Sequence, residues 1–140
     1  MDTSGGYRWR LRVYWEDTDA GGVVFYANYL KFFERARTEW LRSAGFSQQQ
    51  LRTERGVMFI VTETDVRYLL PARLDDELEV SVNCRFSGRV GLTLEQQAWR
   101  VTADGAAPTL LADGRIRIAC VDAGTFRPCR IPTDLLNALE

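Results

Sequence analysis

Histidine is the residue that this chain lacks, since none occurs among its 140 residues. Its absence excludes Ser-His-Asp and Cys-His nucleophile systems, histidine proton shuttles and histidine metal clusters. Acid–base chemistry would then depend on carboxylates, tyrosines, bound water or lysine. The sequence contains a single lysine, Lys31, so carboxylates are the main candidates.

Cysteine is scarce and its spacing carries no metal or disulfide pattern. The three residues Cys84, Cys120 and Cys129 are odd in number, and none forms a C-x-x-C pair. We therefore expect free thiols and no zinc site or disulfide framework. No metal or other cofactor is predicted.

The chain also lacks an excess of one charge and a long apolar run. A net charge of −1 gives no electrostatic footprint for nucleic acid. The N-terminal residues MDTSGGYRWR contain no apolar signal region, and no apolar run reaches the ~18 residues of a spanning helix. The length is that of one domain, so we expect a single cytoplasmic domain over residues 1–140 without a membrane span.

The first half of the chain predicts a strand, a turn and a helix. Residues Tyr7–Trp15 alternate apolar with basic side chains, as in a half-buried strand. Residues Asn28–Ala44 change to a helical period, with Asn28 as N-cap and Gly45 as the residue that ends the helix. The predicted apolar face of this helix consists of Leu30, Phe33, Trp40, Leu41 and Ala44.

The second half predicts strands joined by short links. A polar connector, Ser47–Gly56, is compatible with a helical turn, and Pro132–Glu140 with a last one. The predicted strands are Val57–Leu70, Glu77–Ser87, Val90–Thr102 and Leu110–Asp122. Short links favour antiparallel pairing, so the fold class is α+β with one long helix against one sheet face. One helix cannot cover such a sheet, which predicts a homo-oligomer.

An acidic turn precedes the helix in the stretch WEDTDAGGVVFYANYL, residues 15–30. A calcium loop does not fit it, because position five is Gly21 and position twelve is Asn28, where a glutamate belongs. Two interpretations stay open. In one, Asp17 or Asp19 only accepts hydrogen bonds from nearby backbone N–H groups, as in an Asx turn. In the other, Asp19 acts beside the free N–H groups of the helix, and Gly22 lets a ligand approach the backbone.

A family resemblance favours the second interpretation. The stretch RVYWEDTDAGGVVFYANYLKFFERARTEWLR, with FSQQQL, PARLDDELEV and CVDAGTFRPCRIP further on, resembles the 4-hydroxybenzoyl-CoA thioesterase family of hotdog-fold enzymes. Within that family it is most similar to the Tol–Pal-associated acyl-CoA thioesterases of the YbgC type. The resemblance implies a hotdog fold, a long helix wrapped by a five-stranded antiparallel sheet. It also implies dimers or tetramers with active sites between subunits.

The resemblance also implies roles for individual residues. The catalytic carboxylate falls on Asp19, and the backbone N–H that polarises the carbonyl falls on Tyr26. Relatives of the YbgC type often carry histidine at the Tyr26 position, so an imidazole role is lost here while a backbone role is kept. Glu34 occupies a helix position that lines the acyl pocket in some relatives. Arg89 is either a contact for a CoA phosphate or a solvated turn arginine.

These observations predict an acyl-CoA thioesterase that also has acyl carrier protein thioesters as candidate substrates. A thiolate leaving group has a thiol pKa of about 8.5 and requires no general acid, which fits a chain without histidine. Asp19 would act as nucleophile or general base. The alternative is a non-catalytic acyl-binding or scaffold protein associated with cell-envelope machinery.

Overall fold

A computed structural model describes residues 6–139, with the backbone alone at residue 86, and the ends of the predicted domain lie outside this range. The strands are β1 (Tyr7–Arg12), β2 (Val57–Tyr68), β3 (Glu77–Ser87), β4 (Gly91–Val101) and β5 (Thr109–Asp122). The helices are α1 (Asn28–Ser43), α2 (Gln48–Gln50) and α3 (Thr133–Leu139). A 3-10 turn (Trp15–Asp17) precedes α1, and a π-helical turn (Leu51–Arg55) continues α2.

The five strands form one antiparallel sheet in the order β1-β3-β4-β5-β2. Register places apolar side chains opposite one another, as with Leu11 and Leu78, or Leu94 and Ile116. The sequence prediction of an α+β fold with a five-stranded antiparallel sheet is confirmed. Strands β1 and β2 are the two edges.

Helix α1 packs on the inner face of the sheet and forms the core with it. On β4 the residues Leu92, Leu94 and Ala98 alternate inward and are buried, because successive side chains of a strand point to opposite faces. A leucine side chain that leaves water in this way stabilises the fold by about 1.5–3 kcal/mol. The buried residues of α1 are Tyr29, Phe32, Phe33, Ala36, Trp40 and Leu41.

The predicted helix face was wrong at Leu30, which is 41% exposed. Tyr29, one position earlier, takes the inward place, and its hydroxyl accepts a hydrogen bond from the Ala72 N–H at 3.1 Å. Helix α1 begins at Asn28 with Ala27 as N-cap, so Asn28 is not the predicted cap. Its end is as predicted: Gly45 has a φ of +95° and its N–H bonds to the carbonyl of Arg42.

Strand β1 ends at Arg12, earlier than the predicted Trp15. Val13 still bonds to the segment just before β3, since its N–H donates to the Asp76 carbonyl and its carbonyl accepts from the Asp75 N–H, and the 3-10 turn then leads the chain away from the sheet. The acidic turn therefore adjoins the N-terminal end of β3. None of the helices in the described range is long and apolar enough to cross a membrane.

Candidate active site

Asp17 joins the acidic turn to the start of α1. Its carboxylate Oδ2 accepts a hydrogen bond from the Tyr14 N–H at 2.8 Å. Its main-chain carbonyl accepts from the Phe25 N–H at 3.1 Å and from the Asn28 Nδ2 at 2.8 Å. Asp17 is thus used locally, as the Asx interpretation expects, and its bonds fix the turn against the helix.

Asp19 lies on a tight hairpin that brings the chain back to the helix. The Asp19 N–H donates to the Val23 carbonyl at 2.9 Å, and the Gly22 N–H donates to the Asp19 carbonyl at 3.0 Å. Gly22 has a φ of +78°, a conformation that favours glycine, and a Cβ added there would meet no atom within 4 Å. The backbone at Gly22 is therefore open to an approaching ligand.

The Asp19 side chain is exposed, and only one of its two carboxylate oxygens has a hydrogen-bond partner in the described part of the chain. Oδ1 accepts a hydrogen bond from the Gly21 N–H at 2.8 Å, which is the geometry of an Asx turn. Within the described part of the chain, Oδ2 accepts no hydrogen bond. The side chain is thereby oriented by one oxygen while the other remains available, so the Asx geometry and a chemical role coexist.

The start of α1 offers two backbone donors beside this hairpin. The N–H groups of Asn28, Tyr29 and Leu30 donate to carbonyls three residues earlier. Those of Tyr26 and Ala27 donate to no acceptor among residues 6–139. Free N–H groups at a helix start carry about half a positive charge together with the helix dipole. Such donors are suited to an oxyanion.

Aromatic rings pack around this helix start. The Tyr26 ring lies 4.9 Å from the Phe25 ring and 5.9 Å from the Tyr68 ring, at the end of β2. The Tyr29 ring contacts the Tyr68 ring at 5.5 Å, and burial raises the pKa of Tyr29. The Tyr26 side chain itself is 61% exposed, so its ring belongs to the surface rather than the core.

Glu34 lies in a cleft between α1 and β2. The cleft has a volume of about 300 Å³. The Oε2 of Glu34 accepts a hydrogen bond from the Thr38 hydroxyl at 2.6 Å, and that hydroxyl accepts from the Gln48 Nε2 at 3.1 Å. The cleft is lined by Glu34, Arg37, Trp40, Leu41, Gln48, Phe59, Ile60, Val61 and Ile118.

Arg37 is a residue of this cleft that sequence reasoning missed. Its guanidinium donates to the Gln96 Oε1 at 2.8 Å. Burial lowers the pKa of Arg37, and the Glu34 carboxylate opposes that change. Gln96 is fully buried, and its Nε2 donates to the carbonyl of Phe33 in α1 at 3.0 Å. The sequence feature that could have indicated a buried polar partner here is Gln96, a polar residue at an inward position of an otherwise apolar alternation on β4.

Arg89 lies away from the acidic turn within one chain. It is exposed in the link between β3 and β4, where its carbonyl accepts a hydrogen bond from the Ile131 N–H at 2.8 Å. The acidic turn adjoins the opposite end of β3, and the 11 residues of that strand span roughly 36 Å when straight. The structure thus groups Asp19, Gly22 and Tyr26, places Glu34 along the helix, and leaves Arg89 distant.

A metal centre has no visible basis in the described residues. Between residues 6 and 139, no group of three or more Cys, Asp or Glu side chains is placed to hold an ion. In the turn, backbone N–H groups donate to one carboxylate oxygen each of Asp17 and Asp19.

Comparisons with known proteins decide the family. Residues 13–139 match the model of the thioesterase-like superfamily. The chain belongs to this superfamily. The acyl-CoA thioester hydrolase YbgC of Escherichia coli O6:H1 is 44% identical over 130 residues, which cover 93% of this chain and 92% of that protein. The acyl-CoA thioesterase YbgC of Haemophilus influenzae is 40% identical over 135 residues, covering 96% and 95%.

The thioesterase fold is also found in solved structures. A mutant of 4-hydroxybenzoyl CoA thioesterase, complexed with 4-hydroxybenzoyl CoA, superposes with a TM-score of 0.88 over 96% of this chain and 99% of that one. Its 19% identity makes this a likeness of fold. The predicted resemblance and the hotdog fold are confirmed, and the chain is an enzyme of the thioesterase class.

Proposed function

We propose that this protein hydrolyses acyl-CoA thioesters to the free acid and CoA, with Asp19 as nucleophile or general base. The observation that carries the proposal is the Asp19 carboxylate, with one oxygen hydrogen-bonded, on a hairpin bonded to a helix start where two N–H groups donate to no acceptor among residues 6–139. The YbgC relatives, named as acyl-CoA thioesterases, supply the substrate class.

The proposed hydrolysis needs the Asp19 carboxylate, a backbone N–H donor at the helix start and water. The Tyr26 N–H would donate to the thioester oxygen, which becomes an oxyanion when the carbonyl carbon is attacked. Such donors contribute about 2.7–4 kcal/mol where they have been removed from other enzymes. In the nucleophilic route Asp19 forms a mixed anhydride that water then hydrolyses, and in the general-base route it takes a proton from the attacking water. Either way CoA leaves as a thiolate without a general acid.

The acyl group would extend along α1 into the cleft between α1 and β2. A helix rises about 1.5 Å per residue, which puts Glu34 roughly 9 Å and Trp40 roughly 18 Å beyond the helix start. The β2 wall of the cleft is apolar, with Phe59, Ile60 and Val61, and the α1 wall carries Glu34 and Arg37 beside Trp40 and Leu41. We expect the apolar wall to hold the chain and the two charged residues to limit which acyl ends fit.

A second subunit would complete the site. Edge strand β2 exposes apolar side chains, including Val61 at 48% and Tyr68 at 44%, which a monomer would leave in water. Arg89 and Asp19 lie at opposite ends of β3, so an Arg89 contact with the CoA phosphates would come from another subunit. A homodimer, or a tetramer built from two, therefore accompanies the proposed reaction.

The experiment is thiol release from a panel of acyl-CoAs of different chain length, with acyl carrier protein thioesters alongside and a chelator present. We expect CoA release that the chelator leaves unchanged. Abolition of activity by the chelator would contradict hydrolysis by Asp19 alone. Absence of release from every CoA and carrier-protein thioester would instead favour the non-catalytic alternative. The cytoplasmic location stays a prediction from the sequence.

A further inference from the structure

Two thiols that the proposed reaction does not use lie side by side at the end of β5. The Sγ atoms of Cys120 and Cys129 are 3.6 Å apart. Cys120 is buried in the core, and Cys129 is partly exposed. The pair is outside the acidic turn and outside the cleft that Glu34 lines.

The backbone holds the two residues opposite one another. After β5 the chain turns back, with the Asp122 N–H bonded to the Arg127 carbonyl at 2.8 Å and the Cys129 N–H to the Cys120 carbonyl at 2.9 Å. An antiparallel bridge pairs Val121 with Pro128 directly beside them. Opposed residues of antiparallel strands have Cα atoms about 4.5–5.5 Å apart. This lies inside the range of about 4.4–6.8 Å that a disulfide spans.

The turn between the two cysteines is itself held in place. The Oδ1 of Asp122 accepts hydrogen bonds from the N–H groups of Gly124 and Thr125, at 2.8 and 2.9 Å. These bonds keep residues 120–129 in a hairpin shape without any covalent link.

We propose that Cys120 and Cys129 form a reversible intramolecular disulfide, which makes the pair a modification site for hydroperoxides. The sulfur of the partly exposed Cys129 attacks one peroxide oxygen, the O–O bond breaks, and a sulfenic acid and water form. The sulfur of Cys120 then attacks that of Cys129, the S–O bond breaks, and the departing hydroxide takes the Cys120 proton. Two thiols and one hydrogen peroxide become one disulfide and two waters, and a dithiol reductant reverses the change.

The order of events follows from the burial of the two thiols. Burial, together with the contact to Cys129, raises the pKa of Cys120 to about 12. Cys120 therefore stays protonated at neutral pH and is a poor first nucleophile, since the thiolate is the reactive form. Cys129 meets the oxidant first because it reaches solvent. Cys120 can then resolve the sulfenic acid although it is protonated, because its Sγ lies only 3.6 Å away and its proton passes to the departing hydroxide.

The disulfide would tie the C-terminal segment to the sheet. Ile131, two residues after Cys129, donates its N–H to the carbonyl of Arg89, and Cys120 pairs with Phe59 on β2. The disulfide would therefore connect residues 129–131, which contact the β3–β4 link, to β5, which pairs with edge strand β2. We expect the oxidised protein to melt several degrees higher than the reduced one, because a closed loop of this size constrains the unfolded chain.

The test treats the reduced native protein with hydrogen peroxide, then alkylates it in denaturant and digests it with trypsin. Both thiols remain in the peptide of residues 118–130, since trypsin does not cleave before Pro128. We expect this peptide to lose two hydrogens, to resist alkylation, and to recover on treatment with dithiothreitol. Cys84, on β3, is the internal reference and should stay alkylated.

Cys129→Ser is the control variant, and its partly exposed site should tolerate the change. It should remove both the mass loss and the rise in melting temperature. The proposal is overturned if Cys120 and Cys129 stay alkylatable, if Cys129 proceeds to the sulfinic acid, or if the crosslink joins two chains. Formation of the disulfide only in denaturant would also overturn it, because the folded hairpin would then give no advantage.

Discussion

The side-chain amide of Asn28 donates a 2.8 Å hydrogen bond to the main-chain carbonyl of Asp17. This bond joins the first residue of α1 to the acidic turn that carries Asp19, eleven positions across the loop. The same carbonyl also accepts the Phe25 N–H, so two bonds converge on one oxygen. The position of the Asp19 carboxylate relative to the helix N-terminus depends on this junction.

Asn28→Ala should therefore lower turnover more than stability. The loss of one hydrogen bond costs about 1 kcal/mol of unfolding free energy, whereas a small displacement of a catalytic group reduces the rate by roughly 10²-fold at most. Urea unfolding and the rate of CoA release measure the two effects. Thr18→Val is the matched control, because among the described residues the Thr18 hydroxyl bonds only to the Trp15 carbonyl inside the turn. If Asn28→Ala and Thr18→Val release CoA at the same rate, the hydrogen bond between Asn28 and Asp17 is not needed to position Asp19.

The Arg37–Gln96 pair gives a prediction about stability. Gln96→Leu removes the only hydrogen-bond partner that Arg37 has in the described chain and leaves a half-buried guanidinium unpaired. We expect a loss of about 1–3 kcal/mol in unfolding free energy. Because the penalty comes from the unpaired charge, adding Arg37→Met should recover part of it.

Denaturant titration of the two single variants and the double variant gives the coupling free energy. The neighbouring Gln97→Leu is the control, since its side chain lies on the other sheet face and bonds to Asp113 at 3.3 Å. Strictly additive effects of Gln96→Leu and Arg37→Met would contradict a coupled pair.

Assembly is tested at edge strand β2. Light scattering should give a mass of at least twice the 16.0 kDa of one chain. Val61→Glu puts a charge on an apolar edge residue that is 48% exposed in the single chain, so it should shift the protein towards monomer and lower activity. Glu63→Gln, two positions along, should leave the mass unchanged. A monomeric wild-type protein at micromolar concentration would contradict the interfacial site.

Much of the fold was predictable because its signals are local. The bounds of β3 and the glycine after α1 depend on neighbours in sequence, and both were found where predicted, while β4 is one residue shorter at each end than predicted. The exposure of Leu30 was missed because Tyr29 and Leu30 are neighbours that are both largely apolar, and the inward place of Tyr29 involves a hydrogen bond to Ala72, 43 residues away. The strand order also depends on distant pairings, such as that of β2 with β5.

In the candidate site, too, the residues close in sequence were predicted and those that depend on distant contacts were not. Asp19, Gly22 and Tyr26 were grouped in advance because they are close in sequence, and the family resemblance supplied their roles. Arg37 escaped notice because its partner Gln96 is 59 residues away. The separation of Arg89 from the acidic turn likewise follows from the direction of β3, which composition and spacing do not reveal.

The central claim is that Asp19 acts chemically and Asp17 structurally, although both carboxylates accept backbone hydrogen bonds. Asparagine offers the same acceptor oxygen to the Gly21 and Tyr14 N–H groups, so each Asp→Asn change preserves the turn and removes only the charge. The deciding measurement is the kcat for CoA release by the wild type, Asp19→Asn and Asp17→Asn. We predict a fall of at least about 10²-fold for Asp19→Asn and a rate near that of the wild type for Asp17→Asn. Unchanged kcat in Asp19→Asn, or a larger loss in Asp17→Asn, would contradict the assignment.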